Sequence, residues 1–554
     1  PPPPPHNELL NSLDKNNIDE IIRNALNVKD AGEILILDSE RINLAKTINA
    51  MISNNKNQEL SYLLGEVMGD ANLNARNVQA NLQYIDALNE IRSKSVTKKT
   101  ALFADNISEY DQYRSSDDIS QWLSSDCDMG KAIQVIQREI NSSPNEALSF
   151  KCYKDNFAII SGSEKNYKVT TYGTNGEFKL EKRVTMGSAQ NPNLRISEIN
   201  DGQNNYEIAE NFEIIEHNGK KKQYYYPIKE ISEIHDTNGK LLYSETRALS
   251  DIDGVIEIVR KYPDGKVETL CQAIEDANGN KRVVKNLTSL DGTKTQINYE
   301  SDLNGNYTQK YVITDKDGNV LLDDTKTFKV INENTFISSH NGVELVTTYT
   351  SDKITVCDMN GNVLANIDIN SLIQTDREVL INMLKGLSGE EIVSASKYVK
   401  KLILQKRLDS AINWQTGEMY IGPHKFIFEH ELGHGKDNFS IINPEKMHLS
   451  ISDPNIRPED ITFRVSGDKQ LQEIFNEEKT AFKKNFTTEQ ENYVEYFMNS
   501  GNIPTLDHGL SETVAETNAI LNSPNSQITL SFRTQYLQQY FPKTIAYISK
   551  MLDE

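Results

Sequence analysis

Residues 276–319 read DANGNKRVVKNLTSLDGTKTQINYESDLNGNYTQKYVITDKDGN. Glycines stand at 279, 292, 305 and 318, each 13 residues after the last. Each closes an Asn-Gly or Asp-Gly dipeptide, and the residues between them are rich in Val, Ile, Thr and Tyr. Such dipeptides suit the positive φ angles of tight hairpin turns, and β-branched and aromatic residues suit strands. A unit of this length leaves room for a strand of about ten residues and a turn. The stretch therefore predicts an antiparallel meander, either an extended sheet or a partly closed barrel.

The same dipeptides recur on both sides, with glycines at 219, 239, 254 and 265 upstream and at 342 and 361 downstream. A β hairpin-repeat domain is expected over residues 146–370. In composition it resembles the hairpin repeats of large bacterial surface and toxin proteins. Asp315-Lys316-Asp317-Gly318-Asn319 starts like a calcium loop. It lacks a third oxygen ligand before its glycine and a Glu at the twelfth position, so it reads as another turn.

Before this region the apolar spacing changes to three and four, as in Ile18, Ile21, Ile22 and Leu26, and in Ile48, Met51 and Ile52. That predicts a helical domain over residues 6–145, behind a polyproline leader at residues 1–5. The chain opens on Pro1, so its start is expected to be processed or trimmed. No signal peptide is legible, and no apolar run is long enough to span a bilayer.

The whole chain of 554 residues exceeds one hydrophobic core and predicts several domains. A formal net charge of -21 repels phosphates and argues against non-specific nucleic-acid binding. Cys127, Cys152, Cys271 and Cys357 form no CxxC pair and are expected to be free thiols.

Helical periodicity returns over residues 371–554, as in Val379, Leu380, Met383 and Leu384. One β element interrupts it. Residues 411–414 and 418–421 flank Gln415-Thr416-Gly417 and read as a hairpin. Behind Pro423 and the apolar Phe426-Ile427-Phe428 comes His430-Glu431-Leu432-Gly433-His434. Histidines four apart on a helix share one face, where both imidazoles reach a single Zn²⁺. Glu431, next to the first ligand, is placed to act as general base. Two downstream pairs, Glu512/Glu516 and Glu473/Glu477, have the spacing of a third ligand and its companion.

His430-Glu431-Leu432-Gly433-His434-Gly435-Lys436-Asp437 resembles the zinc helix of the anthrax lethal factor-like peptidases. Downstream, residues 474–478 resemble the family's non-ligand helix, 511–516 its ligand helix and 542–548 its closing helix. The resemblance covers about residues 375–554. It implies that His430, His434 and Glu512 bind Zn²⁺ and that Glu516 holds a ligand imidazole. It also implies a compact zincin domain and endoproteolysis. The family's Tyr seven positions before the Glu ligand is Thr505 here. His508 is the substitute expected to stabilise the transition state, with Tyr493 and Tyr496 as alternatives. His424 is a candidate for lining the cleft. The strand at 418–421 is expected to border the cleft and pair with an extended substrate.

The fold expected is multidomain α+β: an N-terminal helical region, a central antiparallel β-meander and a C-terminal, mainly helical zincin domain. The function expected is a zinc metalloendopeptidase acting on a protein substrate. It would be a bacterial toxin or effector, secreted or delivered into a host cell, with host or surface partners for its other domains. The alternative is a binding or adhesion protein that works through its β repeats, with a vestigial or autoprocessing zincin domain.

Overall fold

The computed structural model describes residues 125–554, with breaks at 144–147, 218–219, 253–254, 373–376, 405–409, 414–415, 423–424, 450–452, 487–489, 491–493, 495, 499–507, 525–526 and 528–529. The polyproline leader and most of the expected helical domain lie outside the described residues. So do His424, Tyr493 and Thr505.

The chain divides into two compact units, Pro1–Pro227 with Ser232–Leu241, and Ile228–Ile231 with Leu242–Glu554. In the first, helix α1 (Met129–Ser142) precedes strands β1 (Leu148–Cys152), β2 (Asn156–Ser163), β3 (Asn166–Gly173), β4 (Phe178–Met186), β5 (Leu194–Asn200) and β6 (Asn205–His217). Each strand pairs antiparallel with the next. Tyr172 on β3 donates its hydroxyl to Glu139 of α1 at 2.8 Å and stacks on Phe157. The division between the units falls in β7 (Lys220–His235) and at the start of β8 (Leu241–Leu249).

The second unit carries the meander onward through β9 (Ile256–Lys261), β10 (Val267–Glu275), β11 (Lys281–Thr288), β12 (Lys294–Ser301), β13 (Tyr307–Thr314), β14 (Val320–Asn332), β15 (Thr335–His340), β16 (Val343–Tyr349), β17 (Lys353–Asp358) and β18 (Val363–Asp368). The neighbours again pair antiparallel. The strands behind the 13-residue period are eight residues long, shorter than expected, because the connections take five residues. In the Asp276 turn the N–H of Gly279 donates to the Asp276 carbonyl, and Asp276 donates to the Asn280 carbonyl. Only the glycine has positive φ (81°), so this is a three-residue loop with a glycine bulge. The Asp276 carboxylate accepts from the N–H groups of Asn278 and Asn280 and from the Asn280 side chain. Asp302, Asp315 and Asp358 repeat this pattern, so the D-x-D-G stretch is a turn. Asn341-Gly342 differs: both residues have positive φ (51° and 87°), and the hairpin there is a two-residue one.

Alternation along these strands buries one face. The helices of the C-terminal residues lie on that face: α2 (Ile369–Leu372), α3 (Arg377–Leu384), α4 (Gly389–Tyr398), α5 (Lys425–Lys436), α6 (Lys469–Asn485), α7 (His508–Asn522), α8 (Phe532–Tyr540) and α9 (Pro542–Leu552). Ile297, Tyr311 and Ile313 of the sheet share a core with Phe475, Val514, Leu537 and Ile545. Phe328, Phe336 and Ile354 share another with Ile392, Phe428 and Leu432. Residues 371–554 and the later strands thus form one compact unit, while the expected β domain of residues 146–370 is split between the two. Burial of apolar surface on the sheet face is the physical reason.

The same face buries cations, Arg247 and Lys285 among them. Arg247 bonds Gln535 and Gln539 and lies over the Tyr536 ring at 4.5 Å. Lys285 Nζ donates to Gln527 at 3.0 Å and Gln538 at 2.8 Å, and burial pushes its ammonium down to about 8. Helix α8 is therefore buried nearly all round despite its glutamines.

A small sheet sits beside α5, with β19 (Lys401–Leu404) parallel to β21 (Glu418–Ile421) and β20 (Ala411–Asn413) antiparallel to it. The expected hairpin is present. However, β21 lies between β19 and β20, so both of its edges are taken and the expected substrate pairing with it is corrected. Strand β19, unread in the sequence, fills the second edge. Further on, β22 (Phe439–Ile441) pairs with β23 (Ile461–Phe463). Among the described residues no helix is long and apolar enough to cross a membrane. The four cysteines are free, and three of them are buried.

Candidate functional site

Helix α5 is anchored on its apolar side by Phe428 and Leu432, which are buried against the sheet. The opposite side carries His430 and His434 one turn apart, their rings 5.2 Å apart and nearly perpendicular. Helix α7 crosses at Gly433. A β-carbon there would lie 2.7 Å from the Ala515 Cα and 2.9 Å from the Ala515 carbonyl oxygen. Only glycine permits this approach, which brings the carboxylate of Glu512 to the two imidazoles.

Glu512 Oε2 stands 3.0 Å from His430 Nε2 and 3.2 Å from His434 Nε2. One ligand atom from each of the three residues lies within 4.8 Å of the others, a group able to hold a metal ion. Glu516, one turn beyond Glu512, places Oε2 2.8 Å from His430 Nδ1. Its other oxygen accepts from Thr534 Oγ1 of α8 at 2.9 Å. Ser511 Oγ lies 3.5 Å from His434 Nδ1. Burial pushes the His430 imidazole down, but Glu512 and Glu516 outweigh it and lift it to about 10. Burial raises the Glu512 carboxyl, yet the two histidines hold it well below the usual range.

Glu431 is buried on the same helix, and burial pushes its carboxyl up against the pull of His430 and His434. The backbone N–H of Ile412 on β20 donates to it. The edge strand beside this carboxylate is therefore β20 rather than β21.

Polar contacts fix the two helices around this group. Lys436 Nζ bonds Glu391 of α4 and donates to Asn518 of α7 at 2.7 Å. Asn518 donates in turn to the Glu429 carbonyl at 2.7 Å and to Glu391 at 3.2 Å. Asp437 accepts from the N–H groups of Val465 and Ser466 and from Ser466 Oγ, which ties the end of α5 to the turn after β23. Burial pushes its carboxyl up to about 6.

The rival pair is not brought to the site. Glu473 and Glu477 are exposed on α6. Their neighbour Glu478 is buried and caps the start of α9 through Thr544 N and Oγ1, each at 2.7 Å. Of the transition-state candidates, His508 begins α7, but its side chain lies outside the described residues. Tyr496 does face the site. Its hydroxyl bonds Glu512, and partial burial with the charges of Glu512 and Glu431 raises its pKa. Its ring stays 46% exposed beneath the Arg533 guanidinium, which lies 4.8 Å from the ring centroid.

Thr534, Arg533, Asn518 and Glu391 went unread in the sequence. Each is a polar residue in an otherwise ordinary helix, with no local spacing to mark it. No family model matches the chain, and no curated protein matches it.

Proposed function

We propose that this protein is a zinc-dependent peptidase. The observation that carries the reading is the convergence of His430, His434 and Glu512 on one point, with Glu431 on the same helix. Two imidazoles and one carboxylate form a donor set suited to catalytic zinc, which leaves a further position open. The Glu516 carboxylate on His430 Nδ1 is the companion such a ligand takes to fix its tautomer. The donors therefore fit the ion.

A zinc ion held by these residues supplies a Lewis acid and lowers the pKa of water towards neutrality. Glu431 takes the proton of the attacking water and returns it to the leaving amine. Its raised pKa suits both transfers. Tyr496 donates its hydroxyl to the carbonyl oxygen as negative charge develops there. Strand β20 offers its outer edge to an extended peptide. The resemblance of residues 375–554 to lethal factor-like peptidases supports endoproteolysis by a bacterial toxin or effector, secreted or delivered into a host cell.

The test is zinc content by mass spectrometry together with digestion of a peptide library. Glu431→Ala keeps the metal and loses cleavage; cleavage that survives this change removes the mechanism.

A second reading rests on the sheet. A groove of about 840 Å³ crosses β10–β14, lined by Ile274, Arg282, Glu300, Lys329 and Ile331 among others. It favours a binding protein whose peptidase centre is vestigial. Metal without turnover would select that reading.

A further inference from the structure

The charges closest to the metal-ligand group are acidic: Glu431, Glu512 and Glu516. Arg533 breaks the pattern. It lies in the first turn of α8, exposed, beside Thr534, which holds Glu516. Its guanidinium lies 4.8 Å from the Tyr496 ring centroid and 5.4 Å from that of Phe497. The two rings are themselves edge-to-face at 5.4 Å. Cation–π attraction to the two rings restrains the guanidinium, whose planar fork can still donate to a carboxylate.

Among the described residues no carboxylate forms an ion pair with Arg533. Glu516 feels its charge, but the Glu516 oxygens go to His430 and Thr534. The aromatic that Arg533 covers is the one whose hydroxyl bonds Glu512. The guanidinium thus stands on the side of the metal-ligand group that Tyr496 and Glu516 border.

We propose that Arg533 is the specificity residue of this cleft and binds a carboxylate of the substrate, an Asp or Glu side chain close to the scissile bond. A held guanidinium presents two parallel N–H donors to a carboxylate, loses little freedom on binding, and discriminates against the isosteric amide. The same chemistry would accept a C-terminal carboxylate, so the experiment separates the two sources. The inference rests on the peptidase reading for its consequence in cleavage and can be tested apart from it.

The probes are peptide pairs identical except for Glu or Gln at one position, with amidated C-termini, and a third set with Gln and a free C-terminus. Cleavage is measured with the zinc-loaded full chain, and binding by fluorescence anisotropy with the Glu431→Ala protein. Glu peptides are expected to exceed Gln peptides in kcat/KM and in affinity by about 10–100-fold at one position. Arg533→Gln abolishes the difference between Glu and Gln peptides while zinc content is retained. Arg533→Glu shifts the preference to Lys peptides. Preference only for the free C-terminus overturns the side-chain assignment. Cleavage with equal rates for Glu and Gln everywhere, or a preference that persists in Arg533→Gln, overturns the inference and leaves the peptidase reading standing. Binding that depends on Arg533 without any cleavage does the reverse.

Discussion

Gly433 and Ala515 touch backbone to backbone: a β-carbon on Gly433 would fall 2.7 Å from the Ala515 Cα. This contact sets how closely the helix of His430 and His434 approaches the helix of Glu512. Gly433→Ala must push the helices apart, since the close atoms are the Ala515 Cα and carbonyl oxygen and the Asn518 Cβ, none of which can swing away. It should cost about 1–3 kcal/mol of stability. Zinc affinity, read by chelator competition, should fall on the order of tenfold or more as the three donors separate. Gly435→Ala is the control, because it meets only the side chains of Tyr398 and Ile412, at 3.1 and 3.3 Å. Equal metal affinity in both variants would show that the crossing does not set the site.

Lys436 should matter more for what its loss exposes than for the contact itself. Lys436→Met leaves the buried Glu391 carboxylate without its cation, which should cost about 3–5 kcal/mol in urea denaturation of the zinc-free protein. Adding Glu391→Leu should recover most of that loss, because the desolvated charge is gone. A double variant no more stable than Lys436→Met alone would assign the loss to packing.

Tyr496→Phe should lower kcat by about 10²–10³ with KM and zinc content nearly unchanged, as expected for a donor that acts only as charge develops. Steady-state kinetics beside His508→Ala decide the assignment. If Tyr496→Phe retains kcat and His508→Ala loses it, the role passes to His508.

His340 joins the sheet to α4. One ring nitrogen bonds Asp324 and the other lies 2.9 Å from Glu390. Burial pushes this imidazole down, but the two carboxylates lift it to about 9, above its unfolded value near 6.5. A base with a raised pKa contributes stability below the unfolded value and loses it as pH rises through the folded one. The stability gap between wild type and His340→Asn should therefore be about 2 kcal/mol at pH 6 and shrink towards pH 10. A gap that is constant over that range would show that His340 packs as a neutral ring.

Much of this was legible where the signal is local. The 13-residue glycine period announced the meander, since turn chemistry needs only neighbouring residues. It overstated strand length because each connection in the period takes five residues, where the tightest hairpin takes two. At the site the residues alone left Glu512/Glu516 and Glu473/Glu477 as rivals. Strand β19 went unread, which made β21 look like an edge.

By itself the amino-acid sequence determined which segments turn, which alternate and which two imidazoles share a helix face. Those are properties of spacing along one element. The resemblance had named Glu512, but only the tertiary structure brought its carboxylate to them, set Arg533 over the Tyr496 ring, and buried a helix of glutamines on Arg247 and Lys285. Such contacts join residues tens to hundreds of positions apart. They depend on how closely two surfaces pack, as at Gly433 and Ala515, and spacing along the chain carries no record of that.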